Sequence, residues 1–215
     1  MKNIEEKLQI MFEMQDRINC ETAGKNWRDL CLSWHRAIWL ECAELIDHFG
    51  WKWWKLQMCD IDQVKMEIVD IWHFGMSELL STGVVDGQIM RDQAETAFRA
   101  PAFIAGVVPR AEKIAYRELS GDDFCCFIFF GLCRDAGMTF DDLFKMYVGK
   151  NALNEFRQAN GYKDGTYIKI WGDVEDNVVL TDILRSLGDD FNHVTAAQEI
   201  ERKLEDKYQE VMNHG

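Results

Sequence analysis

A chain of 215 residues with 47% apolar side chains has enough material for one substantial core, which argues against intrinsic disorder. Its formal charge of −13 argues against nonspecific attachment to a nucleic-acid polymer or an acidic membrane surface. A small phosphorylated ligand is compatible with that charge, provided cations stand between the two negative partners.

In chain order, Ile4, Leu8, Met11 and Ile18 mark one side of an amphipathic helix over residues 3–19. Thr22 and Gly24 break the pattern within NCETAGKNWR and predict a loop. A long helix is expected from about Trp27 to His48, ending at Gly50, and another from about Asp60 to Leu80. Residues 86–99 read as a charged helix, APAFIAGVVPR as irregular and AEKIAYRELS as helical. DDFCCFIFFGLCRDAG predicts a buried apolar helix ending at Gly137, and Thr139 is the N-cap expected for TFDDLFKMYVGKNALNEFRQ. The segment ANGYKDGTYIKIWGDVEDN reads as a loop, and AAQEIERKLEDKYQEVMNHG as a polar, heptad-like final helix. With no internal repeat and no long linker, residues 1–215 predict a single all-α domain, a helical bundle.

Seven cysteines, an odd number without a CxxC pair, point to reduced thiols rather than a disulfide framework or a zinc site. The opening MKNIEEKLQIMFEMQ carries acids where a signal peptide has its apolar run, and no segment matches a membrane span. The expected location is cytoplasmic.

Acidic residues recur at a fixed step. Leu30, Trp34, Ala37, Glu41, Glu44 and His48 form one helical stripe, apolar above and acidic below. Glu67 and Asp70 repeat the three-residue step inside VKMEIVDIWHF, which is apolar nearly all round. A single such step is common on a solvated face. Two of them on consecutive apolar helices need a shared counter-charge, and hard oxygen ligands suit Mg²⁺ or Mn²⁺. A ferritin-like di-iron site wants Glu-x-x-His, which Glu44–His48 and Asp70–His73 match poorly.

The charge reverses sign further on. Lys145, Lys150, Arg157, Lys163 and Lys169 face only Glu155 and Asp164 between residues 145 and 171, so that segment is +3 within a chain of −13. Either it is an anion site, in which Gly161 and Gly165 admit the backbone close to phosphate oxygens, or it is a solvated loop. An acidic metal cluster elsewhere favours the first, because metal with lysine and arginine is what a phosphoryl-type substrate requires.

Together ECAELIDHFGWKWWK, MEIVDIWHF and KNALNEFRQANGYKDGTYIKIWGDVEDN, with MQDRINCETAGKNW more weakly, resemble the dimeric all-α dUTP diphosphatases, relatives of the MazG-type nucleotide pyrophosphohydrolases. The resemblance implies the all-α NTP-pyrophosphatase fold, with a metal site from helices at about 27–48 and 60–80 and a phosphate-binding loop at about 150–177. It implies a homodimer that hydrolyses dUTP to dUMP and pyrophosphate by water attack on the α-phosphate; cleavage of dUDP, which would give dUMP and phosphate, is left open by the sequence. Glu41, Glu44, Glu67 and Asp70 would carry catalysis by holding two or three Mg²⁺ ions, and Glu44 would orient or deprotonate the water. Lys150, Asn154, Arg157, Tyr162, Lys163 and Lys169 would hold the phosphates. Gln15, Asn19, Trp53 and His73 would take the base and sugar, with Trp51 and Trp54 closing the pocket. Each of these has a plainer alternative: Trp53 as core, Gln15 and Asn19 as surface amides, His73 as a satisfied core histidine. The rival functions are a dCTP/dUTP or broader NTP pyrophosphohydrolase and a non-catalytic helical scaffold.

Overall fold

The structure, a computed structural model of the chain, describes residues 3–187 and 191–214. The described residues are helical except for short loops and one two-stranded hairpin, so the fold is all-α. Two compact units make up the chain, Met1–Phe144 and Lys145–Gly215.

The first unit is built around α3 (Ile61–Thr82), whose start is fixed by the Asp60 carboxylate accepting the Gln63 N–H at 3.2 Å. Apolar residues occupy nearly every side of this helix, so it lies in the middle of the unit, touching α1 (Ile4–Ala23), α2 (Trp34–Phe49) and α6 (Cys126–Asp135). Trp72 is the hub. Its ring stacks on Phe129 at 4.7 Å, meets Phe12 edge-on at 6.1 Å, and points its N–H at the Met11 sulfur, 3.4 Å away. Gly75 allows α3 its closest approach here, since a Cβ at that position would stand 2.6 Å from Phe124 Cζ.

Two helix boundaries depart from the sequence expectation. The helix expected from Trp27 begins only at Trp34, and Trp27–Leu30 forms a separate 3-10 turn. Trp27 is pinned to α1 by its indole N–H, which donates to Asp16 Oδ1 at 2.9 Å, and Cys31 takes a left-handed φ of +49° that ends the turn. Leu30, 51% exposed, therefore does not head the acidic stripe. After α4 (Gly87–Arg99), capped by Asp86, the expected irregular stretch is shorter than its sequence suggests. Beyond a 3-10 turn at Ile104–Gly106, α5 (Val107–Ser120) already includes Pro109, which sits in the first turn, where no N–H is needed. The expected stops at Gly50 and Gly137 are present, with φ of +83° and +74°.

Near the end of α5, Glu118 is only 3% exposed. Burial, reinforced by the neighbouring Glu78 and Asp123 and opposed by Arg117, pushes its carboxyl up to about 9. A carboxyl raised above its unfolded value of about 4.3 favours folding fully below that pH. Its contribution is lost as the pH climbs towards 9. Stability should therefore fall between pH 5 and 9 in the wild type and fall less in Glu118→Gln, measured by urea unfolding at a series of pH values.

α7 (Phe140–Ala159) opens with the expected cap. Thr139 Oγ1 accepts the Asp142 N–H at 3.1 Å, and Asp142 Oδ2 accepts the Thr139 N–H at 2.8 Å. After α7 the sequence predicted a loop over residues 159–177 and no element between it and the final helix. That stretch contains a hairpin, β1 (Ile170–Trp171) antiparallel to β2 (Val174–Glu175), and then α8 (Asp176–Ser186). α9 (His193–His214) brings Tyr208 onto Phe156, Tyr167 and Trp171, with ring centroids 5.3–5.5 Å apart. Gly215, the last residue of the expected final helix, lies outside the described residues.

Candidate active site

In α2 the apolar positions Ile38, Cys42 and Leu45 form the buried edge, leaving Glu41 half-buried beside it. In α3 the step from Glu67 to Asp70 presents two acids on the side towards α2. Glu41, Glu67 and Asp70 come together, each offering a carboxylate oxygen within 4.8 Å of the others. Glu67 is 4% exposed, and His48 Nε2, one turn beyond Glu44, lies 3.7 Å from its Oε1. Three carboxylates this close repel one another unless a cation stands among them. All-oxygen donors with no thiolate fit a hard divalent ion, so the residues present suit Mg²⁺ or Mn²⁺. Glu44 differs from its expected inward orientation. It is exposed and stands outside the converging trio. The cause is the narrow buried edge of α2, which covers only one flank of the helix.

A second polar group lies deeper, between α1 and α3. Gln15, Asn19, His73 and Ser77 are all buried. Gln15 Nε2 donates to Asn19 Oδ1 and Ser77 Oγ, both at 3.0 Å, and Asn19 Nδ2 donates to the same hydroxyl at 2.9 Å. His73 Nδ1 meets Gln15 Oε1 at 2.8 Å, and the Ser77 hydroxyl donates to the His73 carbonyl at 2.9 Å. Gln15 and Asn19 are thus not surface amides. Ser77 was missed in the sequence. Its signal is its place one helical turn after His73, which leaves its hydroxyl oxygen able to accept two amide N–H groups. Ser77→Ala should cost about 1–3 kcal/mol, read by urea unfolding, because both amides lose a buried acceptor.

Trp53 departs furthest from its expected place. It is 87% exposed, and Trp51 and Trp54 are also exposed, the three rings meeting edge-on at 5.1 and 5.5 Å. Instead of walling a pocket, the loop after α2 carries its indoles into solvent. Lys52 within it is paired with Asp47.

The four lysines and arginines expected to hold phosphate divide into two groups. Lys163 and Lys169 are exposed, Lys169 pairing with Glu175 at 3.1 Å. Lys150 and Arg157 are buried and already engaged. Lys150 Nζ donates to Asn177 Oδ1 at 2.9 Å, and Arg157 grips Asp176 through Nε and Nη2 at 2.8 and 2.7 Å. Asn154 Oδ1 accepts a longer bond from Arg157 at 3.4 Å, and the half-exposed Tyr162 ring lies 5.6 Å from the guanidinium. Tyr167 donates its hydroxyl to Asp176 at 2.8 Å. Burial alone would raise the Asp176 carboxyl, but Arg157 outweighs it and holds the group below the usual carboxylate range. Asp176, Asn177 and Tyr167 lie in the run that carries the family resemblance but were not singled out, since nothing in the spacing of GDVEDN marks the acid that folds back onto Arg157.

The class that these features define is an all-α protein in which acids from two neighbouring helices meet at one point. A family model described as dUTPase matches residues 7–162, well over half of the chain. The chain belongs to the dUTPase family and is a dUTP-hydrolysing enzyme. No curated protein matches it in the corresponding comparison. The matched span includes the acidic trio, the Gln15 network, Lys150, Asn154, Arg157 and Tyr162, and stops short of Lys163, Lys169 and Asp176. No described helix is long and apolar enough to cross a membrane.

Proposed function

We propose that the enzyme hydrolyses dUTP to dUMP and pyrophosphate by attack of water on the α-phosphate, dependent on a divalent metal. The reading rests on the convergence of Glu41, Glu67 and Asp70 within 4.8 Å of one another. These three would hold Mg²⁺, as two or three ions or with Mn²⁺ in its place. A bound divalent ion supplies a lowered pKa for the attacking water and a counter-charge for the phosphates.

Glu44, on the same helix one step from Glu41 but outside the trio, keeps its carboxylate available to orient or deprotonate the water. Lys163 and the Tyr162 hydroxyl, both on exposed residues, would also meet phosphate oxygens. Lys150, Asn154, Arg157 and Lys169 would act by exchanging present partners for phosphate, or by shaping the loop that holds it. Gln15, Asn19 and His73 would meet the base and deoxyribose by a similar exchange, and Trp53 would close over the nucleoside from its solvent-facing loop. The active form is a homodimer in the cytoplasm, and light scattering on the purified protein tests the first of these.

The deciding experiment is turnover of a dNTP panel in ¹⁸O-labelled water with Mg²⁺. Preference for dUTP, with label in dUMP, supports the reading. Label in pyrophosphate would place attack at the β-phosphorus, and equal rates on purine and pyrimidine substrates would remove the uracil pocket. Turnover of dUDP to dUMP and phosphate is expected from the same attack.

A further inference from the structure

A cavity of about 640 Å³ opens in the first unit between Trp34 and Trp39 of α2, Ser81 and Thr82 of α3, and Glu118 and Leu119 of α5. It shares no lining residue with the acidic trio. Its charged lining is lopsided: Glu78, Glu118, Asp122 and Asp123 stand against one guanidinium, Arg36, and the imidazole of His35. Two of the acids beside Glu118 have partners. Asp122 pairs with Arg117 at 3.2 Å, and Glu78 Oε1 accepts the Phe124 N–H at 2.9 Å.

Glu118 differs from them. It is almost fully buried, and neither of its oxygens has a hydrogen-bond donor beside it. Its charged neighbours are two more carboxyls, Glu78 and Asp123, opposed by Arg117, which already pairs with Asp122. A buried acid pair of this kind has two ways out of its repulsion, a shared proton or a bound cation.

The walls decide which cation. A hard divalent ion wants several converging oxygens, and among the described residues only Glu41, Glu67 and Asp70 gather in that way. Two tryptophans beside two carboxyls suit an organic ammonium, which brings N–H donors for the oxygens and a hydrocarbon body for the indoles. The volume admits an extended aliphatic chain.

We propose that this cavity binds an aliphatic di- or polyamine, its ammonium head held by Glu118 and Glu78 and its methylene chain lying against Trp34 and Trp39. At neutral pH the entering ammonium displaces the proton held by the pair, so binding releases a proton to the buffer.

The test is calorimetry of the full-length protein with spermidine, with Mg²⁺ present, in two buffers of different ionisation enthalpy. The proposal expects saturable binding with proton release, weakened at least about tenfold by Glu118→Gln and several-fold by Trp39→Leu. Circular dichroism checks that both variants remain folded, and Trp39→Leu carries the test if Glu118→Gln does not fold. Any of three results overturns it: no saturable binding below about 10 mM, equal affinity in wild type and folded variants, or displacement of spermidine by Mg²⁺, which would place it at the acidic trio.

Discussion

Asp70→Asn should abolish turnover and at the same time raise the melting temperature of the metal-free protein. Both effects follow from the carboxylate oxygens of Glu41, Glu67 and Asp70 lying within 4.8 Å of one another. Two like charges at such a distance repel by roughly 3 kcal/mol at the effective dielectric of a protein surface, so removing one charge relieves the fold. The same removal takes away a ligand that the proposed chemistry needs. Turnover should fall by about 10³-fold or more, equivalent to about 4 kcal/mol of transition-state stabilisation. Calorimetry with Mn²⁺ should show weakened binding in step with that loss. Glu67→Gln should behave alike, its effect on the fold tempered by the nearby His48.

Glu44→Gln supplies the contrast. Because Glu44 stands outside the trio, metal affinity should stay near the wild-type value while kcat drops by about 10²-fold or more. If Glu44→Gln turns over at a near-normal rate, the role of that carboxylate in activating water is wrong, whatever the metal result.

The second large effect concerns the C-terminal unit. Asp176→Asn should destabilise it by about 3–5 kcal/mol, because the Arg157 guanidinium stays buried after losing its carboxylate. Asp176 is 0% exposed and accepts bonds from Arg157 and Tyr167, so no water replaces the lost charge. The sign of its pH dependence is fixed by the depressed carboxyl. Its contribution is fully present above the unfolded value of about 3.9 and is lost only as the pH falls through the lower folded value. Fluorescence-detected unfolding between pH 3 and 7 should therefore show the wild type and Asp176→Asn converging only at the acid end.

These side chains show how far the sequence could be read. Periodicity located α1 and α3 because their apolar steps are unbroken, and the glycine stops and the Thr139 cap were legible because each depends on local backbone chemistry alone. The start of α2 was not legible. Trp27 fits the helical period, but a tertiary bond to Asp16 holds it in a separate turn. α8 and the hairpin were hidden for a similar reason, since Asp176 and Trp171 are ordered by partners distant in the chain. At the acidic centre the three-residue steps brought Glu41, Glu67 and Asp70 into view together. They could not tell that the flank of α2 bearing Glu44 would be left uncovered. Hydrophobicity misled at Trp53, where a ring that reads as core stands in water.

The position of that indole gives the enzyme a built-in optical probe. Trp27 and Trp72, sealed in the interior, will emit in the blue, whereas Trp51, Trp53 and Trp54, stacked edge to face in solvent, will emit at longer wavelength. Any event that dries the loop after α2, nucleotide capture above all, should shift only the red component. Stopped-flow emission of the unlabelled protein can then time the arrival of substrate separately from the chemistry that follows.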